Sequence, residues 1–174
     1  YDPRIRELSG KTIGLVGFGH IAKKTAALAQ AFDMNVLVWS RTVYPEYESK
    51  SLCFVSFDEL LKNSDIVSLH CPLFPETTRL INAEAVSKMK KGAILINTAR
   101  GAVIDEQAVA DGLNSGHLAG AGIDVAEKET IPAESPLLSA KNCVITPHMA
   151  WACRESRERL IEIVKDTFCA FLAR

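Results

Sequence analysis

The stretch Lys11-Thr-Ile-Gly-Leu-Val-Gly17-Phe18-Gly19-His20-Ile21-Ala22 decides how this chain folds. Its first half is a continuous apolar run without in/out alternation, the pattern of a strand buried on both faces of a parallel sheet. Its second half opens a stretch, from His20 to about Phe32, whose Ala, Leu and Gln residues are spaced for one buried helical face. Between strand and helix, the glycines acquire a mechanical meaning. Gly17 permits the tight turn, Gly19 has no Cβ to hold off a pyrophosphate, and Ala22 lets helix and strand pack closely. The free N–H groups of the first helical turn then face the phosphates, and the helix dipole favours the anion. Paired glycines alone often do no more than make a turn; in this frame they predict a dinucleotide site.

The same alternation of strand and helix runs outward from that stretch. Val36–Trp39, Leu52–Val55, Ile66–Leu69, Ala93–Ile96, Ala119–Ile123 and Val144–Ile145 read as strands. Ser56 reads as the N-cap of a helix over Phe57–Leu61, Asn82 of one over Ala83–Met89, and Asp105 of one reaching Asn114 and closed by Gly116. Arg154–Leu172 is a long final helix with a charged first half. The expected fold is α/β: a doubly wound parallel sheet with helices on both faces, in one domain. The loop-like stretches, Arg41–Lys50 and Lys128–Ser139, are too short to link domains.

Composition narrows the function. Twenty Lys+Arg stand against 21 Asp+Glu in 174 residues, so no basic excess exists to neutralise a nucleic-acid backbone. Apolar runs such as Ala93–Ile96 are far too short for a membrane span. The opening Tyr1-Asp2-Pro3 has no apolar leader and reads as the start of a cut piece. Cys53, Cys71, Cys143, Cys153 and Cys169 form no CxxC pair and no zinc-ligand spacing. They read as reduced, buried thiols of a cytoplasmic protein.

The end of the second strand bears on which dinucleotide is held. A carboxylate there usually bonds the adenosine ribose of NAD. Here Ser40 and Arg41 stand at that place, and no carboxylate lies between Met34 and Pro45. Arg41 can pair with a 2′-phosphate bidentately, so NADP is favoured over NAD. The alternative leaves Ser40 on an ordinary ribose and Arg41 in solvent.

Five motifs then occur in order: Gly14-Leu-Val-Gly-Phe-Gly-His-Ile-Ala22, Ser68-Leu-His-Cys-Pro-Leu-Phe-Pro-Glu-Thr77, Ile96-Asn-Thr-Ala-Arg-Gly-Ala-Val-Ile-Asp105, Gly120-Ala-Gly-Ile-Asp-Val125 and Thr146-Pro-His148. Together they resemble the Rossmann-type nucleotide-binding domain of the D-isomer-specific 2-hydroxyacid dehydrogenases, over nearly the whole chain. The resemblance implies an NAD(P)-binding domain over residues 1–174, without the family's substrate domain. Residues 1–8 and 151–174 would be the segments leading toward that domain.

The resemblance also implies the residue roles. Arg100 matches the arginine that holds the substrate carboxylate, His148 the general acid/base, and Glu129 the carboxylate paired with it. Because Thr130 stands where the family usually has Pro, Glu127 is the alternative partner. The chemistry suits these residue types: reduction of a 2-oxo acid needs a proton for the developing alkoxide, and a guanidinium grips a carboxylate through two parallel bonds. Asp124 matches the residue that bonds the nicotinamide carboxamide. His20 and Ile21 would offer backbone amides to the pyrophosphate, with His20 standing where Arg is common. Cys71, Pro72 and Thr77 would border the nucleotide, Cys71 as a contact and not a nucleophile. Thr98 and Ala99 would line the nicotinamide ribose.

Pro-His-Met-Ala-Trp151 is similar to members acting on glycerate or hydroxypyruvate, so hydroxypyruvate or glyoxylate is the expected 2-oxo acid. Trp151 would wall the substrate pocket or staple the final helix to the core. A formate dehydrogenase-type member would have Gln where Pro147 stands. A homodimer is expected, and little turnover from this piece alone. The competing reading is a nucleotide-sensing, corepressor-like protein-binding module on the same fold.

Overall fold

The apolar runs form the strands they predict. In the computed structural model, which describes residues 5–173, the order is β1 (Thr12–Val16), α1 (His20–Ala31), β2 (Asn35–Trp39), β3 (Leu52–Phe54), α2 (Phe57–Asn63), β4 (Ile66–Leu69), α3 (Ala83–Lys88), β5 (Ala93–Asn97), α4 (Glu106–Asn114), β6 (Leu118–Ile123), β7 (Cys143–Ile145) and α5 (Arg154–Leu172). The first four positions of the expected 1–8 segment, and position 174, lie outside the described residues.

The strands form one sheet in the order β3-β2-β1-β4-β5-β6-β7. Every pairing is parallel; Leu15 of β1, for example, lies between Val38 of β2 and Ser68 of β4. The chain therefore winds outward from β1 in one direction and from β4 in the other. The crevice at their carboxyl ends is where ligands bind in such sheets.

The expected caps are in place. Ser56 accepts from the Glu59 N–H, Asn82 from the Ala85 N–H and Asp105 from the Ala108 N–H, each worth about 1 kcal/mol. Gly116 sits at φ +74°, the left-handed conformation that closes α4.

The two faces of the sheet are covered unequally. On one, α2, α3 and α4 bury Leu60, Leu61, Val86, Val109 and Leu113 against Val67, Leu69, Leu95 and Ile123. On the other, α1 alone lies over β1 and β2, packing Ala22, Ala26 and Ala29 on Leu15, Val36 and Val38. Beyond α1 that face stays open: Ile94 is 38% and Val144 66% exposed, with Ile96, Gly120 and Gly122 between them half-buried. A concavity of about 1240 Å³ lies along the amino ends of the strands and includes Ile66 and Ile94. It also takes in residues 113–116 at the end of α4, so it rounds the amino edge of the sheet, and no residue of the glycine turn lines it.

Two expectations are corrected. The final helix forms but buries no residue, exposing Leu160, Ile161, Val164, Phe168, Phe171 and Leu172. Trp151, 55% exposed, does not staple it to the core. The cysteines are all free, but only Cys71 is buried and Cys143 partly so. Cys169 and Cys153 are exposed because they lie on, and cap, the unpacked α5; Cys53 points outward from the edge strand β3. No helix among the described residues is long and apolar enough to cross a membrane.

Candidate cofactor and catalytic site

The turn after β1 is fixed from both sides. Gly17 has φ +95°, and a Cβ there would fall 2.9 Å from the Cys71 nitrogen and the His70 carbonyl carbon. Its N–H donates to the Trp39 carbonyl at 2.8 Å. Glycine is thus needed both for the backbone conformation and for the close approach of β4. Phe18 is buried under Tyr44, Tyr47 and Phe54 and anchors the turn. Gly19, the residue before α1, offers no side-chain cap, and a Cβ on it would meet nothing within 4 Å. The exposed His20 and Ile21 follow. The first-turn N–H groups of α1 therefore have no side-chain cap and the position beside them is open, an arrangement that fits a dinucleotide's pyrophosphate.

Ser40, the residue after β2, lies in a hollow of about 330 Å³ with Val38, Val43, Phe54, Val55, Ser56 and Glu59. Arg41 is exposed, its guanidinium 5.9 Å from the Phe74 ring centre. Glu59, from the first turn of α2, brings a carboxylate to the Ser40 hollow that reading along β2 does not reveal.

At the end of β4, the His70 ring is 3.0 Å from the Ser68 hydroxyl, and burial lowers its pKa below the usual histidine range. Burial pushes the Cys71 thiol up, which disfavours a thiolate and suits a packing contact. Thr77 shapes the following loop: its hydroxyl donates to the Pro72 carbonyl and accepts from the Phe74 N–H, both at 2.8 Å.

Past β5 come the exposed Thr98, the half-buried Ala99 and Arg100. The turn is set by Asn97, fully buried, whose Oδ1 accepts from the Ala99 N–H and whose Nδ2 donates to the Arg100 carbonyl, both at 3.0 Å. The exposed Arg100 guanidinium donates to its neighbour's carbonyl, Ala99 O, at 2.6 Å. Gly101 packs on the loop after β6 so tightly that a Cβ would lie 2.0 Å from the Ala126 carbonyl. The segment carrying Arg100 is thereby pressed against the segment leading to Glu129.

Asp124, at the end of β6, is the hinge pin of the last loop. Its carboxylate accepts from the Thr146 hydroxyl and from the Met149 and Ala150 N–H groups, and its carbonyl accepts from the His148 N–H. Burial alone would raise its pKa, but these hydrogen bonds hold it below the usual carboxylate range. His148, at φ +50°, is left with Nδ1 at 2.8–2.9 Å from the two Glu129 oxygens. Glu127 instead lies 3.8 Å from Arg79. Of the two candidate partners, the fold brings Glu129 to the imidazole.

Asn97, Gly101 and Glu59 were not singled out by sequence. Asn97 had a weak local signal, an Asn closing a strand before a turn; the other two act on residues distant in the chain. Among the described residues no cluster of His, Cys, Asp and Glu could hold a metal.

Residues 1–150 match the model of the D-isomer specific 2-hydroxyacid dehydrogenase, NAD binding domain. The chain belongs to the D-isomer-specific 2-hydroxyacid dehydrogenases. Among its 2-hydroxyacid dehydrogenase relatives is a hydroxypyruvate reductase of Blautia hydrogenotrophica, 46% identical over 172 residues, 99% of this chain and 53% of the relative. Of solved structures, the D-lactate dehydrogenase with NAD+ from Lactobacillus jensenii superposes with a TM-score of 0.88 at 35% identity, over 97% of this chain and 56% of that one. An acyclic imino acid reductase in complex with NADPH and D-Arg gives 0.86 at 36% identity, over 99% and 55%. The chain spans about half the length of the curated relatives it matches.

Proposed function

We propose that this chain is the NAD(P)-binding half of an enzyme that moves a hydride between a nicotinamide dinucleotide and a small D-2-hydroxy or 2-oxo acid, with hydroxypyruvate or glyoxylate as the oxidised substrate. One observation carries the reading. An imidazole paired through Nδ1 to a carboxylate stands at the carboxyl edge of a parallel sheet, on the same edge as an uncapped helix start and an exposed arginine.

The bound nicotinamide would supply or receive the hydride. Everything else falls to the chain's own residues. The α1 amides of His20, Ile21 and Ala22 bind the pyrophosphate, and the Cys71–Thr77 loop borders the nucleotide. Asp124 retains lone-pair capacity for the carboxamide while it secures the His148 loop. Thr98 and Ala99 line the ribose. Arg100 swings from the Ala99 carbonyl to hold the substrate carboxylate, setting the carbonyl carbon in place. Glu129 holds Nδ1, so that Nε2 delivers a proton to the developing alkoxide and takes it back in the reverse direction.

Arg41, with no carboxylate between Met34 and Pro45, supports preference for NADPH over NADH, against the Glu59 carboxylate in the Ser40 hollow. Residues 1–8 and 151–174 serve as segments toward a substrate domain, the working enzyme is a cytoplasmic homodimer, and its substrate is the small acid. Closure of two domains over the substrate completes the chemistry. Titrating the chain with NADH and NADPH, then assaying hydroxypyruvate reduction, tests this. Binding with little or no turnover is expected; failure to bind either nucleotide overturns the proposal.

A further inference from the structure

The loop that carries Glu129 has no regular structure between β6 and the short turn at Pro136–Ser139. Glu129 itself is half-exposed, with a side chain 49% accessible, so its own packing does not place it. Its carboxylate nevertheless has to sit within hydrogen-bond range of Nδ1, and a displacement of about 1 Å is enough to lose such a contact.

One side chain brackets it. Glu106, the first residue of α4, accepts from the Glu127 N–H through Oε1 at 2.9 Å and from the Ser135 hydroxyl through Oε2 at 2.8 Å. These two points lie on either side of Glu129 in the chain, and Ser135 is buried. Both oxygens of Glu106 are thus committed to this loop. Other ties on the loop include the backbone contact of Gly101 with Ala126, the buried Leu137 beyond its far end and an exposed ion pair of Arg79 with Glu127 at 3.8 Å, the last of which contributes little in water. An acidic residue in the first turn of α4 is favourable for the helix dipole alone. That role needs no bond to a loop 21 to 29 residues further along the chain.

We infer that Glu106 is a positioning residue for proton transfer: it acts through the 127–135 loop on Glu129, and so on His148. The inference rests on the reading of His148 and Glu129 as the acid–base pair.

The test uses the chain labelled with ¹⁵N-histidine, whose ring-nitrogen resonances report whether Nδ1 is hydrogen-bonded. Glu129→Ala defines the unpaired signature of His148. Glu106→Ala is expected to move the His148 resonances most of the way to that signature. Glu106→Gln, which still accepts one N–H, should restore most of the wild-type position, and Ser135→Ala should fall between. His70 and His117, held by Ser68 and the Met89 carbonyl, should stay unmoved and so report an intact fold. Wild-type His148 resonances in Glu106→Ala, where Glu129→Ala shifts them, overturn the inference. If Glu106→Ala does not fold, unshifted His148 in both Glu106→Gln and Ser135→Ala overturns it. If Glu129→Ala itself leaves His148 unmoved, the acid–base pair fails first, a distinct result.

Discussion

Two kinds of helix start coexist among the four helices packed on the sheet. At α2, α3 and α4 a side chain from Ser56, Asn82 or Asp105 satisfies a first-turn N–H, and an acidic residue follows within the turn. At α1 there is neither: Gly19 supplies no cap and the first turn holds no acid. Each capped start satisfies its own dipole and serves stability. On the proposed reading, the bare start keeps its donors and its positive end for the dinucleotide's phosphates. The difference separates residues spent on folding from residues held back for a ligand.

The sharpest way to break that contrast is to cap α1. Gly19→Asp fits the open space and the extended backbone at this position (φ −82°). It should raise the melting temperature slightly while weakening dinucleotide binding about 100-fold, because the new carboxylate meets the pyrophosphate. Calorimetry of both quantities decides; unchanged affinity would show that the phosphates lie elsewhere. A smaller effect is expected at Arg41→Ala, where NADPH affinity should fall about tenfold with NADH nearly unaltered, the loss of one charge-assisted contact. Glu59→Gln should shift preference the opposite way, toward NADPH; parallel fluorescence titrations read both.

Asp124 does for the His148 loop what the caps do for helices, and its acidity carries the signature. A carboxyl whose folded pKa is depressed adds stability that is full above its unfolded pKa, about 3.9, and is lost as pH falls through the lower folded value. Urea midpoints should therefore drop on acidification below about pH 4, and Asp124→Asn should be less stable at neutral pH with a flatter acid limb. The smallest effect belongs to an ordinary cap: Asn82→Ala should cost about 1 kcal/mol of stability, with cofactor affinity unaltered.

Local pattern made most of the fold legible. The apolar runs, the glycine turn and the three caps are decided within about one helical turn of sequence, and they hold. Resemblance pointed to Arg100, Glu129 and His148, but it left Glu127 in contention; only the fold sets Glu129 against the imidazole. What escaped depends on contacts between distant segments. Glu106 reaches residues 127 and 135, Glu59 comes beside Ser40 through the β3–α2 connection, and Gly101 is confined by Ala126. The cysteines misled because their apolar character suggests burial, whereas Cys153 precedes and Cys169 rides a helix that buries none of its residues.

The half-covered sheet has a practical consequence. A parallel sheet is stable in water when both sides are roofed, and here β5 to β7 show Ile94, the flat Gly120–Gly122 strip and Val144 to solvent. In a concentrated solution such a strip is adhesive. The isolated polypeptide should light up a dye such as ANS, and its light scattering should climb with concentration. A charged replacement at Val144 should quieten both without touching the cofactor crevice.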